Sequence, residues 1–500
     1  MKNQSYLKIL AFGFVYVLAF KEFSYLTADP DLWGHILFGK EIWESGSIPR
    51  TDFYSFTANG ERWINHEWLT EVLFYLIYAN LGSGGLLAFK MILGWTTIYL
   101  LSQSGPYRKT PYPFAIASIL IIPVMGPGFM VRPQLMTFLF AALLIYILKK
   151  FFEEGSRWIF SIPAIFLLWI NCHGGVIAGL GILATVTAIQ WFKKTEFTSW
   201  KSLAVVLAGS CLTVLMNPYG IELWTFFINS LSLPRKINEW GAISLFDLSN
   251  LPFKVLTLVF FISIIGNREK RLWEVGIITV SMLFAFKSQR HTVLAAIVSA
   301  PYLADWVETL TNNPLIRKNL ETLSIPFKKI SQIVLGLFIV FQIGMTGYSY
   351  NEYKFQIFVE PTVYPVYLAQ FLEQNDINGN IVSPFDWGEY LIWKRPKSKV
   401  AIDGRFRTVY PEPIIRQAWN FWERKENWRE ILKNSDIAVV KTAHAGDKGF
   451  TGLSKWTKIY KDPICVVYLK QNKRNNATIT KFAKKELINP DAIPPYTFPG

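Results

Sequence analysis

Long apolar runs separated by short polar connections fill the chain up to about residue 347, and a helix that crosses a bilayer needs roughly 20 mainly apolar residues. Runs that meet or approach that length fall at 6–26, 84–102, 112–130, 134–148, 157–172, 174–192, 201–216, 252–266, 272–286, 292–309 and 331–347. The pattern predicts a polytopic α-helical membrane protein of about eleven spans. The run Tyr6–Phe20 resembles a signal sequence, but no small-residue cleavage site precedes Lys21 and Glu22, so it is read as an uncleaved first span. Beyond 347 the periodicity shortens. Apolar runs at Asn380–Ser383, Lys399–Ile402, Asp436–Lys441, Trp456–Tyr460 and Cys465–Leu469 predict strands, and Asp386–Trp393, Glu412–Arg424 and Asn427–Lys433 predict helices, which together make a small α/β domain. The expected division is a transmembrane domain at 1–347, with a first outer loop at 27–83 carrying two interfacial helices, followed by an α/β domain with an extended tail at 348–500.

Composition agrees with a bilayer environment: 51% of residues are hydrophobic, 17% are charged, and the mean hydropathy is +0.25. A net charge of +15 would suggest nucleic acid in a water-soluble chain. Here the basic residues recur in short clusters between apolar runs, which topology explains, so membrane lipids are expected partners and nucleic acid is not. Arg108–Lys109, Lys149–Lys150–Arg157, Lys193–Lys194, Arg268–Lys270–Arg271 and Arg317–Lys318 with Lys328–Lys329 occupy every second connection. Those connections and the N-terminus are therefore placed in the cytoplasm, and segment 27–83, loop 217–250 and the tail on the extracytoplasmic side. The three cysteines, Cys172, Cys211 and Cys465, are too widely spaced for a disulfide framework or a paired-cysteine zinc motif.

That sidedness collects unusual residues at one membrane surface. Arg132, Asn171 with His173, Asn217-Pro218-Tyr219, and Arg290 with His291 all fall at the outward ends of different spans. Taken singly, an arginine at a helix end is adequately explained by snorkelling, but four helix ends converging favour a site. In the first outer loop, Thr27-Ala28-Asp29-Pro30-Asp31-Leu32-Trp33-Gly34-His35 predicts a helix start with Asp29 as N-cap and Pro30 in the first position. Asp31 and His35 then share a face, and Ile36, Phe38, Ile42 and Trp43 suit a helix at the membrane interface. Asp52 follows in an aromatic stretch, and Asn65 caps a second amphipathic helix behind His66-Glu67. Capping and dipole effects account for Asp29, but they leave Asp31 with His35, Asp52 and His66-Glu67 without a purpose. Asp31, His35 and His66 are by type a potential metal-ligand set, although spacing alone brings no three ligands together. In the tail, Ala401-Ile402-Asp403-Gly404-Arg405 places Asp403 and Arg405 just past the end of a strand, where α/β sheets commonly bind ligands.

The stretches ADPDLWGH, GSIPRTDFYSF and RWINHEWL, with WINCHGG, NPYG, SQRH, DWGEYLIW and AIDGR, resemble bacterial membrane proteins of the GT-C class of integral-membrane glycosyltransferases. The likeness covers most of the chain. A weaker one is to the catalytic subunit of oligosaccharyltransferase, in an Asp-Pro element of the first loop and in Phe385-Asp386-Trp387-Gly388. The loop after the third span carries Val131-Arg132-Pro133-Gln134 and no acidic pair, so neither a divalent metal nor asparagine as acceptor is implied. The resemblance implies an inner-membrane enzyme that takes a sugar from a polyprenyl-phosphate-linked donor and transfers it, with inversion, to an extracytoplasmic glycan, lipid or protein. It implies Asp31, or alternatively Asp29, as general base, and Arg132, Arg290 and His291 as the groups that hold the departing phosphate. His35, Asp52, His66 and Glu67 would orient acceptor or base, His173 would line the site, and Asp403 and Arg405 would close it from the tail. A carrier or scaffold for lipid-linked glycans is the principal alternative. Inverted repeats and polar residues at mid-membrane would favour a carrier, and the sequence has neither. A ligase or polymerase of surface polysaccharide would rely on the outer Arg and His residues without the first-loop aspartates.

Overall fold

The computed structural model describes residues 2–105, 111–193, 197–232, 237–266, 271–314, 316, 318, 325–442, 449–450, 452–490 and 496–500. Of the basic clusters used for topology, Arg108, Lys109, Lys194, Arg268, Lys270 and Arg317 lie outside the described residues. The chain divides into two compact units, Met1–Tyr25 with Leu87–Phe355, and Leu26–Leu86 with Gln356–Gly500. The first-loop segment, grouped with the spans in the sequence reading, thus packs in one unit with the tail.

The first unit is helical. Among the described residues, five helices of the chain are long and apolar enough to cross a membrane: Trp68–Ser102, Gln134–Glu154, Val176–Lys193, Gln289–Asn312 and Gln332–Glu352. Shorter apolar helices follow at Tyr112–Gly128, Arg157–Cys172 and Leu251–Gly266. Helix Thr292–Asn312 is the core element, because every residue from Thr292 to Ala304 is buried. Its small residues Ala295, Ala296, Ser299 and Ala300 let Tyr112–Met125 lie close alongside, the usual route to helix association where lipid removes the hydrophobic drive. By contrast Leu337, Val340 and Phe341 of the helix ending at Glu352 remain well exposed, as residues facing acyl chains do.

Lys149 behaves differently from the topology marker that the sequence suggested. Its side chain is almost fully enclosed, and Nζ lies 2.7 Å from Glu274, 2.5 Å from Asp305 and 3.1 Å from Glu153. Arg271 closes the network on Glu153 at 2.6 Å. Charges withdrawn from water require such partners, since the desolvation cost of a lone buried ion exceeds what packing returns.

The second unit is built on a five-stranded sheet in the order β2-β1-β3-β5-β4, with β1 Asn380–Val382, β2 Lys399–Val400, β3 Ile437–Lys441, β4 Trp456–Lys461 and β5 Cys465–Lys470. β1 runs parallel to β2 and β3, while β5 is antiparallel to β3 and β4. Each strand falls where the apolar runs predict it. The β-branched run Ile437-Ala438-Val439-Val440 is buried throughout, as a central strand covered on both faces should be. Helices Val366–Gln374 and Asn476–Ala483 add to the expected set, and the segment expected as helix Asn427–Lys433 shortens to a 3-10 turn at Glu430–Leu432.

The first-loop segment completes this sheet. Phe56 N–H donates to Val400 O at 3.0 Å and Val400 N–H to Tyr54 O at 3.1 Å, so an extended piece of the loop covers the β2 edge. Ala28 N–H donates to Phe358 O at 2.7 Å, and Phe498 N–H to Ile357 O at 2.8 Å. Helix Leu32–Ser45 is therefore covered by protein over Leu32–Ile36, Phe38, Gly39 and Ile42. Ile36, Phe38 and Ile42 are buried, and Trp33 sits among Tyr364, Tyr390 and Phe498 at ring distances of 4.7, 5.0 and 5.2 Å. Only Trp43 of the apolar set expected at a membrane interface remains exposed, because the tail supplies the apolar partner. Gly39 permits a close approach of backbone: a Cβ there would meet the Glu71 carbonyl oxygen at 2.0 Å.

Lys149→Met leaves the carboxylates of Glu274 and Asp305 with Arg271 alone, at 3.6 and 3.7 Å, and without the closer, more buried cation, so the expected loss is about 3 kcal/mol. A fall in melting temperature in mild detergent, absent for Lys150→Met on the same helix, checks it.

Candidate functional site

The turn ahead of helix Leu32–Ser45 separates two aspartates that the sequence leaves interchangeable. Asp29 Oδ1 accepts Asp31 N–H at 3.1 Å and Leu32 N–H donates to Asp29 O at 3.1 Å, so Asp29 forms the turn and is buried. The helix begins two residues after the expected start, with Asp31 at the N-cap position and half-buried. Asp31 is therefore the one of the pair that keeps a face toward solvent.

Beneath it lies a guanidinium clasp. Arg405 Nε and Nη2 donate to Asp403 at 2.9 and 2.7 Å, and Nη1 pairs with Asp52 at 2.7 Å. Tyr410 adds its hydroxyl to Asp403 at 2.6 Å. The guanidinium carbon stands 4.9 Å from the ring centres of Tyr54 and Trp63 and 5.4 Å from that of Phe38. Burial opposes the charge on Arg405, but Asp403, Tyr410 and Asp52 outweigh it and hold the group firmly protonated. The three predicted residues Asp52, Asp403 and Arg405 are thus brought together and occupied with one another. Of their aromatic surround, Tyr54 belongs to the aromatic stretch that the sequence shows around Asp52, whereas Phe38 was expected at the membrane interface.

Glu389 was also missed, inside the quoted stretch DWGEYLIW. An acid directly ahead of the apolar run Tyr390-Leu391-Ile392-Trp393 was the signal. Its carboxyl accepts Gly34 N–H at 3.1 Å and is itself buried. Burial, then the charges of Asp31 and Asp403, push it well above the usual carboxylate range, with Arg405 opposing.

A second cluster includes His35 of the same helix. His35 Nδ1 is 3.1 Å from Glu71, Asn65 donates to Glu71 at 2.5 Å, and Glu67 N–H donates to Asn65 at 3.1 Å. Asn65 therefore ties Glu71 to the turn before helix Trp68–Ser102, which is interrupted at Gly82, where φ is 64°. His35, Glu67 and Glu71 offer metal-ligand atoms within 4.8 Å of one another. The fold therefore assembles His35 with two glutamates in place of the set Asp31, His35 and His66. His66 Nε2 stands 3.8 Å from Glu67. Burial disfavours a charged imidazole at His35, but the hydrogen bond to Glu71 and the charges of Glu67, Glu71 and Asp31 outweigh it and raise His35 to about 9.

In the first unit, Arg132 and Arg290 meet on one carboxylate. Arg132 Nη1 is 2.8 Å from Glu239 Oε2, and Arg290 Nη1 is 3.0 Å from Glu239 Oε1. The Arg290 guanidinium lies 5.1 Å from the Trp240 ring, against which His291 stands edge-on at 6.0 Å. Glu239, distant from both arginines in sequence, gave no signal of this. His173 has a local role: Gly175 N–H donates to Nδ1 at 3.0 Å, and Thr137 Oγ1 lies 2.8 Å from the same atom while accepting from Trp169 at 2.8 Å.

No protein-family model matches the chain, and no curated protein matches its sequence. Among solved structures, the crystal structure of ArnT from Cupriavidus metallidurans in the apo state is similar over 92% of this chain and 97% of its own, at 13% identity and a TM-score of 0.53. ArnT is a GT-C glycosyltransferase. This chain shares the fold of that glycosyltransferase. With its apolar helices, this makes the chain an integral membrane protein. The likeness is one of fold, and the chemistry rests on the side chains above.

The raised His35 gives a pH signature. A group whose folded value lies above its ordinary 6.5 stabilises the fold fully below 6.5, and loses that contribution as pH rises through about 9. The full contribution is about 3 kcal/mol. Melting temperature should fall between pH 6.5 and 9.5, and His35→Gln should flatten the curve over that range.

Proposed function

We propose that the chain is a glycosyltransferase that moves a sugar from a polyprenyl-phosphate-linked donor to an extracytoplasmic glycan, lipid or protein, with inversion at the anomeric carbon. The observation that carries this reading is the convergence of Arg132 and Arg290 on the two oxygens of a single carboxylate. Two guanidinium groups from separate helix ends, arranged around one bidentate anion, offer the geometry that a phosphate diester or its departing monoester requires. Glu239 stands where that anion would bind.

In the proposed step, Asp31 takes the acceptor hydroxyl proton as its oxygen forms the new bond to C1. The bond from C1 to the phosphate oxygen breaks, and the electron pair leaves with the lipid phosphate, whose charge Arg132 and Arg290 hold and His291 supports. Asp31 is preferred to Asp29 because Asp29 is buried and serves the turn. His66 and Glu67, both half-buried, are the acceptor-side groups; His35 orients them, and Asp52, Asp403 and Arg405 fix the loop that carries Asp31. His173 holds its helix end in register. The arrangement belongs to a bacterial inner-membrane protein of about eleven spans with a cytoplasmic N-terminus and an extracytoplasmic tail, as the positive-inside rule requires.

Release of lipid phosphate from a labelled polyprenyl-phosphate sugar by the purified protein tests the reading directly. Arg132→Gln and Arg290→Gln should each lower kcat/KM about 10- to 100-fold, whereas Glu239→Gln, which removes a competing anion, should lower KM for the donor. Asp31→Asn should reduce kcat by about 10² to 10⁴ with little change in KM. Wild-type rates in both Asp31→Asn and Asp29→Asn would rule out the base assignment. Absence of any transfer or phosphate release would leave a carrier or scaffold as the better description.

A further inference from the structure

Three apolar side chains within four consecutive positions of the first unit stand clear of the rest of the protein: Leu245, Phe246 and Leu248 are 65%, 99% and 83% exposed. A single such side chain on a surface needs no explanation, but a cluster on one loop does. The loop is held at both ends. Ile243 N–H donates to Phe286 O at 2.9 Å and Gln289 N–H to Gly241 O at 3.0 Å on one side, and Asn250 donates to Gln289 Oε1 at 3.0 Å on the other. The exposure therefore belongs to an anchored loop. Asp247, the one charged residue of 244–250, is compensated from within: Lys254 Nζ lies 2.9 Å from its carboxylate and 2.6 Å from its carbonyl oxygen, and Ser249 N–H donates to the carboxylate at 2.9 Å. An acid paired in this way approaches an apolar phase at far lower cost than a bare one.

The loop leads directly into helix Leu251–Gly266, which has two distinct stripes. Phe253, Leu256 and Phe260 are buried, whereas Leu251, Val255, Leu258, Ile262 and Ile265 are exposed at alternating four- and three-residue intervals. A wholly apolar exposed stripe on such a helix faces acyl chains. Yet the helix has only 16 residues, about 24 Å of length, against the roughly 30 Å of hydrocarbon in a bilayer. Beyond its C-terminal end the sequence turns charged at once, with Arg268, Glu269, Lys270 and Arg271. The apolar surface is therefore extended only at the loop end, by Leu245, Phe246 and Leu248.

We propose that loop 244–250 is inserted in the membrane: Leu245, Phe246 and Leu248 enter the leaflet reached by the N-terminal end of helix Leu251–Gly266, to a depth of about 5–10 Å at the boundary of headgroups and acyl chains. The occupant of this surface is bilayer lipid, because the three side chains offer hydrocarbon and ring faces alone and adjoin a helix stripe that already meets lipid. Insertion has a consequence for the arginine site. Gln289 is bonded at both ends of the loop and precedes Arg290, so the Arg290–Glu239 pair is held near the headgroup level. The proposal stands independently of the sugar transfer proposed above.

Spin labelling of the full chain in nanodiscs of palmitoyl-oleoyl phosphatidylcholine tests it, with Cys211→Ser removing the exposed native thiol. Labels on Phe246→Cys and Leu248→Cys should be relaxed by oxygen, which partitions into lipid, and shielded from a water-soluble nickel chelate. A label on Leu258→Cys, on the exposed helix stripe, supplies the lipid reference, and one on the exposed Lys481→Cys the water reference. The ratio of the two accessibilities should place the Phe246 and Leu248 labels about 5–10 Å below the phosphate level. Both side chains are exposed, so neither substitution removes packing, and melting temperatures should stay at the wild-type value. Nickel access equal to that at Lys481→Cys would show a loop in water and overturn the proposal. Low access to both reagents would show a loop covered by protein and overturn it as well. A lipid-like ratio at both positions supports it, whether or not the same sample transfers sugar.

Discussion

The buried guanidinium of Arg405 is the constraint on which the second unit depends. A cation inside protein is tolerated only when carboxylates and hydrogen bonds replace the water it has lost, and those partners come from segments far apart in sequence. Asp52 is in the first loop, and Asp403 lies just past β2. The ion pairs at 2.7 Å therefore commit the loop and the tail to fold as one body. The backbone bonds between Tyr54, Phe56 and Val400 have the same consequence, because they extend the sheet beyond β2 with chain from the first loop. An aromatic wall of Phe38, Tyr54 and Trp63 then excludes water and lets the charge interact with the ring faces.

That interdependence explains what the sequence could and could not reveal. Strand positions in the tail were legible because each is a short β-branched or aromatic run between turn residues, a purely local signal. The apolar helices were legible for the same reason. Whether an apolar helix face meets lipid or protein is not local information, and Ile36, Phe38 and Ile42 look the same in either case until the tail is present to cover them. Among the site residues, Asp52, Asp403 and Arg405 stood out as charges in apolar surroundings, and the fold brings them together. Glu389 and Glu239 did not stand out. Their meaning lies in partners such as Gly34 and Arg132, more than 100 residues away. The regular helix begins two residues later than expected, although Asp29 still accepts the N–H of Asp31 as an N-cap residue does.

The two units carry chemistries of opposite sign. Arg132 and Arg290 of the first unit converge on an anion, whereas the second unit gathers carboxylates around Glu389 and around Glu71. In each case an internal group stands in for a partner. Glu239 satisfies Arg132 and Arg290, and the proton of His35 compensates the charge of Glu71 and Glu67. Such substitutes carry an energetic consequence. A ligand that displaces one is credited only with the difference between its own interaction and the one it replaces, so affinity is moderated while selectivity for a doubly charged, bidentate anion is sharpened.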